Sequence, residues 1–279
     1  IPNSVFEIGA YAFGNCSSLT NITISTNAML IGDSAFRDCS SLTNIFIPSR
    51  VEIIGEDAFM NCSALELFEV ANDNAVYSSL DGVLFNKMQT TLISYPAGKH
   101  GPYTVPDSIT RILYHAFFEC DNLTSLVIPY GITTIEYEIC FGCDGLASVT
   151  IPDSVTTVEY NAFKACSSLT EVIMPNSITS LGSGIFQYCG SLTNAVLPNS
   201  ITTIPAWMFT GTKLTSITIP STVTSIGGRA FAYDTGTLKS IYFLGNPPSL
   251  HTAYPFYQIH PDAVFYYMEG ATGWGSSFG

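Results

Sequence analysis

Apolar and polar positions along this chain alternate in short bursts that return at a fixed interval. In Leu19-Thr20-Asn21-Ile22-Thr23-Ile24, Ile22 and Ile24 fall on one face and Asn21 and Thr23 on the other, the two-residue period of a strand buried on one side. With apolar replacements allowed, copies of this segment begin at Leu19, Leu42, Leu65, Leu123, Leu146, Leu169, Leu192, Leu214 and Leu238. Strands that always return in the same direction can pair only in parallel. The pattern therefore predicts one continuous sheet with strands ~4.8 Å apart, roughly 45 Å long for ten strands. A second alternating piece, Val155-Thr156-Thr157-Val158 and its equivalents, predicts a short strand on the opposite side of each coil.

Proline and cysteine keep the same beat. Pro106, Pro129, Pro152, Pro175 and Pro198 are each 23 residues after the last, and Cys16, Cys39, Cys62, Cys120, Cys143, Cys166 and Cys189 follow the same period apart from an insert of 35 residues between Cys62 and Cys120. Such self-similarity is the mark of a solenoid, in which no repeat buries its apolar face alone. Proline closes each strand because it offers no N–H to the ladder. The Asp153-Ser154 and Asn176-Ser177 pairs that follow read as turns. The block Gly-x-x-Ala-Phe-x-x-Cys reads as one short helical or 3₁₀ turn with Ala and Phe inward. Its Gly slot also accepts Leu113, Glu136, Glu159 and Pro205, and proline there excludes a need for positive φ.

Inside the insert, Val83-Leu84-Phe85 and Leu92-Ile93-Ser94-Tyr95 flank a polar turn and predict a β-hairpin, with Tyr103-Thr104-Val105 restoring the main strand. The organisation is then three repeats over 1–70, a long repeat with the hairpin insert over 71–105, six repeats over 106–243 and a C-terminal cap over 244–279, all one solenoid domain. The absence of a cap before Ile1-Pro2 reads as a piece of a longer protein.

Charge and chemistry change this picture little. The chain has 22 Asp and Glu against nine Lys and Arg, a net charge of −13, which repels nucleic acid and anionic lipid. No apolar run reaches the roughly 18 residues of a membrane span, so no membrane insertion is expected in this segment. Cys140-x-x-Cys143 resembles half a zinc site, but no second ligand pair accompanies it, and Cys140 sits in the Phe slot as a small core residue. The other cysteines predict a ladder of buried, reduced thiols. His100, His115, His251 and His260 are scattered, and the Gly-x-Ser-x-Gly match at Gly275–Gly279 has no room for a strand-to-helix elbow. No catalytic residue, metal or cofactor is expected; an enzyme would need His115 and Glu138 facing each other across a substrate.

The Ile-Pro-x-Ser-Val-Thr-x-Ile-Gly, Ala-Phe-x-x-Cys and Leu-Thr-x-Ile-x-Ile blocks resemble the BspA-like leucine-rich repeats, also called the Treponema pallidum type. The insert, from Asn74-x-x-Tyr77 and Asp81-Gly82-Val83-Leu84-Phe85 through Tyr95-Pro96-Ala97-Gly98, is similar to that family's long repeat, and the tail from Gly245 to Trp274 is similar to its terminal cap. The resemblance implies a β-rich α/β fold: a right-handed solenoid of about ten 23-residue coils with one parallel sheet, short helical turns and a C-terminal cap. It also implies a secreted or cell-surface protein that adheres to host matrix or neighbouring cells.

Candidate binding residues lie on the outward face of the main strands: Phe46, Leu67, Glu69, Val127, Glu171, Ile173 and Tyr242. An alternative stripe, Tyr114, Tyr137 and Tyr160, runs one per repeat beside His115, Glu138 and Asn161. The expected function is non-catalytic recognition of a protein or glycan by a monomer. The alternative is a passive spacer carrying another domain.

Overall fold

The computed structural model describes residues 1–234, 236–250 and 254–275. His251 and residues 276–279 of the Gly-x-Ser-x-Gly match lie outside the described residues. The chain winds about eleven turns, against the about ten expected, because Val264–Tyr267, expected to belong to the cap, pairs as a further main strand. Two rows of parallel strands run along the stack. The main row contains Asn44–Ile47 beside Leu67–Val70, then Gly101–Thr104, Leu123–Val127 and Ser148–Thr150. Glu171–Ile173 and Asn194–Val196 follow, and Ser216–Ile219, Ser240–Phe243 and Val264–Tyr267 complete the row. Two-residue strands such as Glu7–Ile8, Leu30–Ile31 and Ile53–Ile54 form the second row.

The expected single continuous sheet is corrected to a series of parallel sheets of two or three strands. The main strands are short, at three to five residues, and the ladder between them lapses at some junctions. The bond from Thr170 N to Ala147 O across one break is stretched to 3.4 Å, where Ala147 N to Thr124 O within a sheet is 2.9 Å. Residues 19–24, the clearest alternating segment in the sequence, form no assigned strand, although Ile24 is buried.

The expected short helical turns are also corrected: among the described residues there is no helix. Left-handed backbone recurs twice per corner, at Tyr11 and Asn15, Ser34 and Asp38, Glu138 and Gly142, and Asn161 and Ala165, and a residue in that conformation breaks a helix at once. Alternate amides form local turns, as Ala12 N to Gly9 O, while those between them donate forward to the next coil. Tyr11, Phe13 and Asn15 donate to Asp33, Ala35 and Arg37, and Ser34, Phe36 and Asp38 donate to Glu56, Ala58 and Met60, all at 2.8–3.0 Å. Across the coil the direction reverses, with Gly32, Gly55 and Gly182 donating back to Ile8, Ile31 and Val158 at 2.7–2.8 Å. Glycine favours this second site for space and not for φ. A Cβ on Gly182 would lie 2.3 Å from Tyr160 N.

The interior is a stack of identical layers. Phe163, Phe186, Phe209, Phe231 and Phe256 form a column with centroids 5.3–5.8 Å apart, and Phe13, Phe36 and Phe59 form another at 5.2 and 5.6 Å. The eight cysteines are free, and all but Cys16 are buried. Cys39, Cys62, Cys143, Cys166 and Cys189 each donate to the carbonyl of the Phe slot one coil back, at 2.8–3.1 Å. Burial pushes the Cys62 thiol up to about 12, which keeps it protonated and unreactive.

The insert is a wall between two cores. Val83–Asn86 pairs antiparallel with Thr91–Ser94, as the hairpin reading expects, and also with Tyr77–Leu80, which it did not. Thr91–Ser94 then takes the short-strand slot beside Arg111–Ile112. Successive side chains of a strand point to opposite faces. Val83 and Phe85 accordingly join the C-terminal core and Leu84 the N-terminal one.

Fully buried Asn74 fixes the entry to this wall. Its Nδ2 donates to Pro48 O at 2.8 Å and Val51 O at 3.0 Å, and its Oδ1 accepts from Val76 N and Tyr77 N at 2.9 and 2.8 Å. Asn74→Ala removes four hydrogen bonds and leaves Val51 O and Tyr77 N buried without this partner, so a loss of about 3 kcal/mol is expected in chemical denaturation. A loss under about 0.5 kcal/mol, the range of a neutral surface change, would show that the wall does not depend on this side chain.

Candidate binding surfaces

The register of the main strands brings one outward position of every coil into a single column. Phe46 pairs with Glu69, Val127 with Thr150, Ile173 with Val196, Thr218 with Tyr242, and Tyr242 with Tyr266. Phe46 is 46% exposed, Ile173 60% and Tyr242 41%, and Val127 and Val196 are exposed as well. Polar Glu69, Thr150 and Thr218 interrupt them in the column, so the adjacent exposed apolar pairs are Ile173 with Val196 and Tyr242 with Tyr266. Glu69 and Glu171 are exposed beside them, and Glu171 accepts from Asn194 Nδ2 at 2.6 Å. Leu67 is half-buried, because the Asp81-Gly82 turn of the insert lies on it: a Cβ on Gly82 would be 2.9 Å from Leu67 Cβ. Tyr266, whose ring stacks on Tyr242 at 4.8 Å, extends the column. Sequence reading missed it because it assigned that segment to the cap, although Val264-Phe265-Tyr266-Tyr267 has strand-forming composition.

The tyrosine stripe forms on a corner. Tyr114 stacks on Tyr137 at 4.7 Å and Tyr137 on Tyr160 at 5.1 Å, with ring planes nearly parallel. Tyr160 ends the stack 45% exposed, while Tyr114 and Tyr137 are half-buried. Burial, with a hydrogen bond to Glu56, raises the Tyr114 phenol.

Beside the stripe, left-handed residues carry a polar chain. Asp57 Oδ1 lies 2.9 Å from His115 Nδ1, His115 Nε2 lies 3.1 Å from Glu138 Oε2, and Glu138 Oε1 accepts from Asn161 Nδ2 at 3.0 Å. Ionised carboxylates only accept, so with both acids ionised both ring nitrogens donate and the ring is an imidazolium. Burial opposes that charge, but the hydrogen bonds and charges of Asp57 and Glu138 outweigh it and raise the His115 pKa. His115 and Glu138 thus meet directly, not across a substrate space. Among the described residues no group of three or more His, Cys, Asp or Glu could hold a metal ion, and no helix is long and apolar enough to cross a membrane.

A profile of the BspA type leucine rich repeat region matches residues 1–99 and 110–239 in six copies. The chain belongs to the BspA-type leucine-rich repeat family. Solved structures share this fold. The pneumococcal vaccine antigen PcpA is 23% identical with a TM-score of 0.75, the match covering 92% of this chain and 66% of that one. A leucine-rich repeat protein from Eubacterium ventriosum is 24% identical with a TM-score of 0.61, over 81% of this chain and 80% of the other. At these identities the likeness is one of fold, and this BspA-type chain spans 66% of the pneumococcal structure's length. A search of curated proteins found no match.

Proposed function

We propose that this BspA-type solenoid is a non-catalytic binding module of a secreted or cell-surface protein, recognising a protein or glycan through the exposed column of its main strands. The observation that carries this reading is that Phe46, Val127, Ile173, Val196 and Tyr242 hold the same outward position of their strands and are exposed. Apolar groups on such a face add strand support within the sheet, but their exposure is unfavourable without a partner. A vaccine antigen among the similar structures fits a protein displayed outside the cell. The flanking Glu69 and Glu171 favour a ligand with basic or hydroxyl groups.

The stacked tyrosines support a second footprint, since Tyr160 presents an open ring face at the end of the stripe. Aromatic faces of this kind hold sugars and cations.

The test is an immobilised panel of matrix proteins and glycans probed with the chain, with a Phe46→Ala/Ile173→Ala variant and with Tyr160→Ala, all matched in melting temperature. Loss of binding by about tenfold or more, some 1.4 kcal/mol, in the first variant supports the strand column, and in the second the stripe. Binding unchanged in both overturns both footprints, and no binding to any probe leaves the passive spacer as the better account.

A further inference from the structure

The corner changes its chemistry part-way along the stack. Each coil shows two left-handed residues there, four apart. Forward hydrogen bonds carry both positions from coil to coil: Gly184 N to Ala206 O, Tyr188 N to Thr210 O, Trp207 N to Gly228 O and Tyr233 N to Tyr257 O, at 2.7–3.1 Å. In earlier coils these positions are polar or small, as Ser34 with Asp38, Asp57 with Asn61 and Glu138 with Gly142. Later they become Gly184 with Tyr188, Trp207 with Gly211 and Arg229 with Tyr233, and Tyr254 with Gln258 ends the series. No acid stands among these later positions. Bulky side chains are disfavoured at positive φ, and the hydrogen-bond ladder does not select them, since asparagine and glycine hold the same slots elsewhere.

The rings so placed face solvent: Tyr188 is 52% exposed, Trp207 and Tyr233 39% each, and Tyr254 73%. Glycine makes room between them. A Cβ on Gly211 would lie 2.7 Å from Tyr188 Cδ1, so the Tyr188 ring lies across the next coil. On one side of Trp207 the Arg229 guanidinium sits 5.2 Å from the ring centroid. On the other side the column holds only Gly184, and two amide oxygens converge beside it, Asn161 Oδ1 and Gln187 Oε1, which lie 2.5 and 3.4 Å from where a Cβ would be. Asn161 spends its Nδ2 on Glu138. Gln187 is 5% exposed, yet its side-chain amide makes no hydrogen bond among the described residues and is not sealed from solvent. Thr210, one coil on in the same place, satisfies its hydroxyl on Arg229 O. A nearly buried amide without a partner is costly, and this one points at a polar group supplied from outside.

We propose that this aromatic corner binds a neutral glycan. The C–H face of a sugar ring is weakly positive and lies on the negative face of an aromatic ring. Tyr188 and Tyr233 stand two coils apart, roughly 10 Å, the length of a disaccharide. Sugar hydroxyls donate to Asn161 Oδ1 and Gln187 Oε1 and accept from Gln187 Nε2. A cationic ligand is disfavoured because Arg229 already occupies Trp207 and no acid among the later corner positions balances a second cation. An anionic ligand is disfavoured by the net charge of −13. The site uses neither the strand column nor the rings of Tyr114, Tyr137 and Tyr160, so it stands or falls independently of both.

The test titrates fluorescein-labelled neutral hexasaccharides of the cellulose, starch, mannan, xylan and chitin types against the whole chain by fluorescence anisotropy, with galacturonate and chitosan hexasaccharides as anionic and cationic controls. The variants are Tyr188→Ala/Tyr233→Ala, the ring-retaining Tyr188→Phe/Tyr233→Phe, and a control Tyr11→Ala/Tyr130→Ala that removes two exposed tyrosines elsewhere. The expected result is saturable binding of at least one neutral hexasaccharide, weakened about tenfold or more by the alanine pair and less than about threefold by the phenylalanine pair or the control. In a Trp274→Phe background Trp207 is the one tryptophan left, and its emission should shift on binding. No binding of any neutral hexasaccharide, equal loss in the alanine pair and the control, tighter binding of a charged hexasaccharide, or an unmoved Trp207 emission overturns the proposal. Glycan binding that survives Phe46→Ala/Ile173→Ala and Tyr160→Ala separates this site from the strand column and the stripe, whereas binding lost in those variants and kept in the Tyr188→Ala/Tyr233→Ala chain overturns it.

Discussion

Phe186→Ala is expected to lower the unfolding free energy by about 3–5 kcal/mol. Phe186 is fully buried and stacks on Phe163 and Phe209 at 5.8 Å on each side, so its removal opens a void that touches three coils. In a repeat stack, stability is a sum of weak intrinsic terms and strong nearest-neighbour terms, and this substitution strikes two of the latter at once. Denaturant unfolding followed by far-ultraviolet circular dichroism should show a lower midpoint. If the coils on the two sides of residue 186 uncouple, the transition also broadens or splits. A variant within about 0.5 kcal/mol of wild type, as for a surface site, would mean that the column does not transmit stability along the stack.

The second large effect is expected at His115. Its bridge to Asp57 joins coils on either side of the insert, whose strands Val83–Asn86 and Thr91–Ser94 divide the two apolar cores, and its bridge to Glu138 joins the next coil. His115→Ala leaves Asp57 and Glu138 without the cation between them, and a loss of about 2 kcal/mol at pH 6 is expected. The sign of the pH dependence follows from the raised folded pKa. The bridge's stabilisation is full below the unfolded histidine value of about 6.5 and is lost as pH rises through the higher folded value. Thermal melts of wild type and His115→Ala at pH 6 and pH 9 should therefore show the wild-type advantage shrinking at the higher pH. An advantage that grows would exclude an imidazolium bridge.

These two sites differ in how plainly the sequence announces them. The Phe column, the thiol ladder and the outward position of Phe46 or Ile173 follow from period alone, since a repeat that returns every 23 residues must stack like on like. The corner conformation did not follow, because Ala-Phe-x-x-Cys has the composition of a helical turn. The choice of left-handed backbone at Glu138 or Ala165 is made by hydrogen bonds to the next coil, not by local preference. The unpaired residues 19–24 are the converse case: their alternation is clear, but Thr43 N reaches Thr20 O only at 3.3 Å. The Asp57–His115 contact spans 58 residues, and the insert hides it from any count of periods. The half-burial of Leu67 by the Asp81-Gly82 turn was hidden in the same way.

The opposed hydrogen bonds of the two sides have an electrostatic consequence. At the corner, peptide units are joined head to tail along the stack, Tyr11 to Asp33 and then Ser34 to Glu56. Such an arrangement, alone, would sum peptide dipoles of about 3.5 D each, as an α-helix does. The return bonds from Gly32 to Ile8 and Gly55 to Ile31 point the other way, and the parallel ladders between them add little net moment. Opposing columns within one cross-section cancel much of the axial field. A helix concentrates opposite partial charge at its two ends; here a coil can be added or removed without building up such poles, so the number of repeats is free to vary.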